Sequence, residues 1–276
     1  EMSRTSKSAR SSKSDAPVRL DPKDYLEHHN VPFYLRDVIA LLLQSRPERP
    51  LEFLAEYFDE VLDGKNVLCR EFEYIDQSAH NRWSFILSCR EAFGDFDAAQ
   101  LTTPSEFLEL VQLLCPDFPD RLVKDASMLC GRVEGPHPLG MMLHATYARF
   151  FFSEFLRWTS TCFNACEPDS HRRASVATVS SVLSNAAQDP SLSFSMPPRR
   201  VYVELNTRMG KVHATLGQIQ QVLVSSRSIR DALAPDSDTG ARAALSPSAS
   251  PLGARSRGVP SWLCGAPSGA GSLGAA

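Results

Sequence analysis

Three features of the sequence predict a mainly α-helical protein. Helix starts are marked by proline or a capping residue, apolar residues recur at three- and four-residue steps, and glycines are scarce between residues 21 and 166. Asp21-Pro22 sets a cap before a first-turn proline, with Asp24 in that turn. Pro32 opens a second helix carrying Leu35, Val38, Ile39, Leu42 and Leu43, and Pro47 stops it. Pro50 restarts the chain, and Leu51, Leu54, Tyr57, Phe58, Val61 and Leu62 form the next stripe before Gly64 ends it. Val67 to Ile75 alternates weakly and reads as either a short strand or an irregular link. Thr103-Pro104-Ser105-Glu106 is a capping box that starts a run to Leu114. Pro119 and Pro138 open two further helices, the last long and aromatic from Tyr147 to Trp158. Helically spaced Phe and Trp of this kind are read as core.

Composition divides the 276 residues. Residues 1–20 are rich in Ser, Arg and Lys and are expected to form a disordered basic tail. The folded part is expected at 21–64 and 65–166, followed by a loose Ser- and Arg-containing linker at 167–200 and a helical candidate at 201–234. Residues 235–276 read as a low-complexity tail, since Ala, Gly, Ser and Pro supply 26 of the last 36 residues, with Trp262 and Leu263 as the one anchor.

Charge follows the same division. The net is +3 over 1–20, −10 over 21–166 and +4 over 167–276. An acidic body lacks the concentrated basic face that nucleic acid requires. No apolar run reaches the length of a membrane span, and Glu1 to Arg19 lacks the hydrophobic stretch of a secretory signal. The seven cysteines make no disulfide framework. A soluble intracellular protein is expected, binding neither nucleic acid nor membrane.

Catalytic signatures are missing: there is no phosphate-binding glycine loop, GxSxG elbow or HExxH pair. Cys162 and Cys166 share a helix face and His171 follows, but a zinc site needs four ligands, and buried thiols are the simpler reading. His137 and His144, seven apart, have no carboxylate or cysteine at matching spacing. Asp95, Asp97 and Glu106 fall at positions 1, 3 and 12 of a calcium loop between two helices. Ala99 at position 5, Gln100 in place of the turn glycine and Pro104 inside the loop spoil it. A degenerate EF-hand-like domain without calcium is therefore expected over 65–166. No catalytic residue, metal or cofactor is assigned.

Helices 32–46 and 50–62 carry more apolar surface than a two-helix hairpin can bury alone. Leu35, Val38, Ile39, Leu42, Leu54, Tyr57 and Phe58 are the candidate partner-binding residues, for a second copy of the chain or an amphipathic partner helix. In the predicted linker, Arg172-Arg173-Ala174-Ser175-Val176 carries two cations, a spacer, a serine and an apolar residue. It resembles a substrate of cAMP-dependent protein kinase, and Ser175 is the candidate phosphosite.

Tyr25-Leu26 through Tyr57-Phe58, with the proline-broken link Arg46-Pro47-Glu48-Arg49-Pro50, resembles the docking-and-dimerisation module of regulatory subunits of that kinase. Phe72, His80-Asn81-Arg82, Ser84-Phe85, the run Leu110 to Pro119, and Phe152-Ser153-Glu154-Phe155-Leu156 follow in one order. Together, over about 22–160, they resemble the centriolar satellite-associated regulators of the tubulin polyglutamylase complex. The resemblance implies a docking-and-dimerisation-type hairpin ahead of the helices that the residues themselves mark as EF-hand-like. It also implies a non-enzymatic scaffold or regulator at centriolar satellites, centrosome or cilium base. Its implied partners are subunits of that complex, with tubulin or microtubules as further candidates. A general ciliary anchoring protein without a link to polyglutamylation, and a small enzyme with an unrecognised site, are the alternatives.

Overall fold

The computed structural model describes residues 21–131, 135–187, 195–210 and 212–234. The expectations for 1–20, for 235–276 and for the Trp262-Leu263 anchor lie outside these residues. The described chain is mainly helical, as predicted, and divides within one helix into two compact units, one ending at Leu54 and one beginning at Ala55.

The smaller unit holds α1 (Pro22–His28) and α2 (Val31–Ser45), which pack together, and the first turn of α3 (Pro50–Asp63). Asp21 caps α1 by accepting from the Lys23 amide at 3.0 Å. Asn30 and Arg46, both at positive φ, bound α2, and Pro47 prevents its continuation. The helices expected over 32–46 and 50–62 are thus present. Tyr34, Val38 and Phe53 are buried.

The larger unit begins with the rest of α3, where Tyr57, Glu60 and Val61 are buried. Gly64 ends that helix at φ +71°, and a Cβ there would lie 2.6 Å from Ser84 Oγ, so conformation and space both favour glycine. The weakly alternating stretch contains no strand: turns lead into a short helix, α4 (Phe72–Asp76). Then come α5 (Ala79–Phe93), β1 (Leu101–Thr102), α6 (Pro104–Gln112), α7 (Asp120–Leu129), β2 (His137–Pro138) and α8 (Leu139–Phe151). β1 and β2 pair antiparallel, Leu101 opposite Pro138 and Thr102 opposite His137, tying two helix–loop–helix segments at their loops.

The same plan follows once more. It comprises α9 (Ser153–Ala165), β3 (Ala174–Ser175), α10 (Val176–Ala186), α11 (Arg200–Met209), β4 (His213–Ala214), α12 (Leu216–Val224) and α13 (Arg227–Ala232). Ala174 pairs with Ala214 and Ser175 with His213. The predicted linker over 167–200 is corrected by this: it contains β3 and α10. Asp169 Oδ1 accepts from the His171 and Arg173 amides and folds the loop. Ser175 then caps α10, accepting from Thr178 N at 3.4 Å, and Val176, Val179 and Leu183 turn into the core. The helical candidate at 201–234 becomes α11 to α13 of the same compact unit.

One hydrophobic core runs through this unit from Val67 to Leu233. Near its start four rings meet: Phe72 of α4, Phe85 of α5, Phe118 before α7 and Phe150 of α8. In five of their six pairings the centroids lie between 5.5 and 6.1 Å apart. Pairs at such spacings add about 0.5–1.5 kcal/mol each beyond burial alone. Beside them the buried Arg82 donates to the Asp76 carbonyl at 2.7 Å and to Glu154 Oε2 at 2.8 Å, joining α4, α5 and α9.

Two stability predictions follow from these contacts. Glu60 is buried with Oε2 lacking a hydrogen-bond partner. Burial, reinforced by Glu56 and Asp63, pushes its carboxyl above the ordinary value. The native state therefore holds this proton more tightly, and stability is lost as pH rises through the elevated pKa. Glu60→Gln is expected to stabilise by about 1 kcal/mol at pH 7 and to lose that advantage at pH 4, read by thermal unfolding at both pH values. Ser175→Ala should destabilise by about 1 kcal/mol in urea unfolding through loss of the cap, whereas a loose linker at 175 would show no change.

Candidate protein-docking surface

Helix α2 separates its apolar residues between two sides. Val38 is 0% exposed and Tyr34 is buried, whereas Leu35, Ile39 and Leu43 are 44%, 51% and 67% exposed. Leu42 is half-buried beside them. Steps of four, three and one residues place positions 35, 39, 42 and 43 on one stripe of a 3.6-residue helix. Arg36, seven residues before Leu43, borders the stripe on that side, and Asp37 falls outside it.

The candidate partner-binding residues thus separate. Leu35 and Ile39 are offered at the surface, and Leu42 partly so. Val38 is interior. Tyr57 is 1% exposed, its hydroxyl 3.2 Å from that of Tyr74, to which Asn66 Nδ2 donates at 2.5 Å. Tyr57 is therefore a core residue of the larger unit. Leu54 and Phe58 are half-buried. Leu43, absent from the predicted set, is the most exposed residue of the ridge, and Leu51 is 80% exposed. The signal that adds Leu43 was present: it lies four residues after Ile39, the i, i+4 spacing of one helix face.

Ser175 sits in β3 as the cap of α10, half-buried, with its backbone held opposite His213. A kinase groove takes an extended peptide, so this serine is presented only when the strand pair opens.

The other candidate chemistry is taken up by structure. Glu106 accepts from Thr103 N at 2.8 Å and Thr103 Oγ1 at 2.9 Å, and these bonds hold its carboxyl below the ordinary value. Asp97 Oδ1 accepts from Ala99 N. Two carboxylates of the would-be calcium loop are thereby committed to turn and cap. His137 is buried in β2, and His144 Nε2 lies 3.0 Å from the Val224 carbonyl oxygen. Burial pushes the thiols of Cys162 and Cys166 up, Cys130 to about 11 and Cys115 to about 12, which disfavours the nucleophilic thiolate. Among the described residues no three His, Cys, Asp or Glu side chains converge as metal ligands, and no helix is long and apolar enough to cross a membrane.

A family model described as the regulatory subunit of type II PKA R-subunit matches residues 34–66, the segment that carries the ridge. Among curated proteins, the Danio rerio centriolar satellite-associated tubulin polyglutamylase complex regulator 1 is 33% identical over 152 residues, 52% of this chain and 46% of that protein. The Homo sapiens and Bos taurus proteins of the same name are each 32% identical over 151 residues, 51% of this chain and 46% of theirs. These regulators are homologues of the chain. The resemblance seen in the sequence is therefore borne out, together with the docking-type module. The chain spans about half the length of the curated relatives it matches. No solved structure matches it.

Proposed function

We propose that this protein is a non-catalytic scaffold or regulator of a tubulin polyglutamylase complex, working at centriolar satellites, the centrosome or the cilium base. The observation that carries this reading is the ridge Leu35–Ile39–Leu42–Leu43, exposed at all but the half-buried Leu42 and lying in the segment that the docking-type model matches. The names of the homologous regulators supply the complex. A scaffold needs no chemistry of its own, because holding an enzyme close to its substrate raises the effective concentration of one for the other. The ridge would accept the apolar face of an amphipathic helix from a subunit of the complex, read at i, i+3, i+4 and i+7. The −10 charge of residues 21–166 opposes an acidic tubulin tail, so contact with the substrate falls to other subunits.

A second reading, a ciliary anchoring protein without a link to polyglutamylation, is favoured by the docking-type match taken alone. Affinity purification from ciliated cells followed by mass spectrometry separates the two. Glutamyl ligase subunits and tubulin support the first, and axonemal or kinase-anchoring proteins without ligase support the second. Because Ile39 is half-exposed, Ile39→Asp is expected to leave stability within about 0.5 kcal/mol while abolishing recovery of the partners. Undiminished recovery with Ile39→Asp would remove the ridge from the account.

A further inference from the structure

The two strand pairs of the larger unit distribute polarity in opposite senses. A sheet with one wet face carries apolar residues inward and polar residues outward. The pair β3–β4 obeys this: Ala174 and Ala214, opposite each other, are both buried, while Ser175 is half-buried and His213 opposite it is exposed. In β1–β2 the order is inverted. Thr102 and His137, opposite each other, are both buried, whereas Leu101 is 62% exposed and Pro138 opposite it is half-buried.

Backbone bonds gather more apolar surface around Leu101. Leu139 N donates to the Gln100 carbonyl at 2.8 Å and Gly140 N to the Ala98 carbonyl at 2.9 Å, so the loop after α5 lies against the first turn of α8. Gly140 permits the close approach: a Cβ there would stand 3.0 Å from the Ala98 Cβ and 3.3 Å from its carbonyl oxygen. Met141, the next residue, is exposed. So are Ala98 and Phe96, the latter with its ring 6.0 Å from that of the buried Phe93. A single exposed apolar side chain is ordinary, but a group of them around an inverted strand pair marks a surface that another molecule covers.

The surrounding charge says what covers it. Residues 91–110 carry five acidic residues and no Lys or Arg, and Asp95 and Asp97, which flank Phe96, are both exposed. A second copy of the chain would set these carboxylates against their own duplicates, which like-charge repulsion opposes. We propose that the outer face of β1–β2, together with Phe96 and Met141, is a docking surface for a short apolar segment of a partner protein flanked by Lys or Arg. The apolar side chains of that segment cover Leu101 and Met141, and its cations meet the carboxylates of Asp95 and Asp97. The unbranched Met141 adapts to the shape laid on it. This face belongs to the larger unit and rests on nothing in the α2 ridge.

The test uses the full chain and a fluorescein-labelled peptide, Lys-Lys-Leu-Trp-Leu-Lys-Lys, whose anisotropy should rise saturably as protein is added. Leu101→Gln and Met141→Gln, both at exposed positions, should each weaken binding roughly fivefold to tenfold without moving the thermal midpoint. Asp95→Asn with Asp97→Asn should weaken it at low salt, by a factor that shrinks as salt is added. The peptide Glu-Glu-Leu-Trp-Leu-Glu-Glu should bind at least about tenfold more weakly. Absence of saturable binding would overturn the proposal, as would equal binding by Leu101→Gln. An equal loss with Val203→Gln, at an exposed apolar position of α11 outside this face, would show general apolar adhesion and also refute it. Self-association that Leu101→Gln abolishes would place a second copy on the face. Tighter peptide binding by Trp262→Ala would place there the chain's own Arg255–Leu263 segment, which joins two arginines to Val259, Trp262 and Leu263. Either result excludes the partner.

Discussion

The contact on which the larger unit depends is the meeting of Phe72, Phe85, Phe118 and Phe150. These rings come from α4, α5, the turn before α7, and α8. Only Gln77 and Ser78 separate α4 from α5, whereas α5, the turn before α7, and α8 are distant in the chain, so the rings set how these three pack. Once α5 and α8 are fixed, Arg82 can reach Glu154 on α9, and Arg90 comes to lie against Trp83 and Tyr147. The paired loops follow as well, because β1 and β2 are only two residues long and owe their register to the helices on either side.

Repetition of the helix–loop–helix plan explains why the core continues beyond residue 166. A lone pair of such segments leaves an apolar helix face open, and α9 to α13 supply a second pair whose buried residues merge with the first. The loops keep their short strands, and polar side chains of these loops serve as turns and caps. Thr103 with Glu106 forms a capping box at the start of α6, Ser175 caps α10, and Thr215 with Gln218 forms another box at the start of α12. The smaller unit is built on the opposite principle. It buries little and leaves an apolar ridge in solvent, which in water is a liability unless it serves for association.

Much of this was legible in the residues. Prolines at 22, 32, 50 and 104, with the caps Asp21 and Thr103, marked the helix starts, because those signals are local and chemical. The second helix–loop–helix pair was obscured because Ser and Arg dominate the composition of 167–200, although Val176, Val179 and Leu183 carry a helical period. The ridge was legible as apolar periodicity, but which of its residues face inward was not. Val38 and Leu35 are chemically alike, and only tertiary packing makes one core and the other surface.

Hydrogen exchange by mass spectrometry, on the protein alone and bound to an isolated tubulin polyglutamylase complex, tests the central claim most directly. The account predicts new protection concentrated in peptides covering residues 31–45, with amides of the core helices α5, α8 and α11 unchanged. Stable association without added protection in 31–45 would contradict it, because the complex would then be held by a surface other than the ridge.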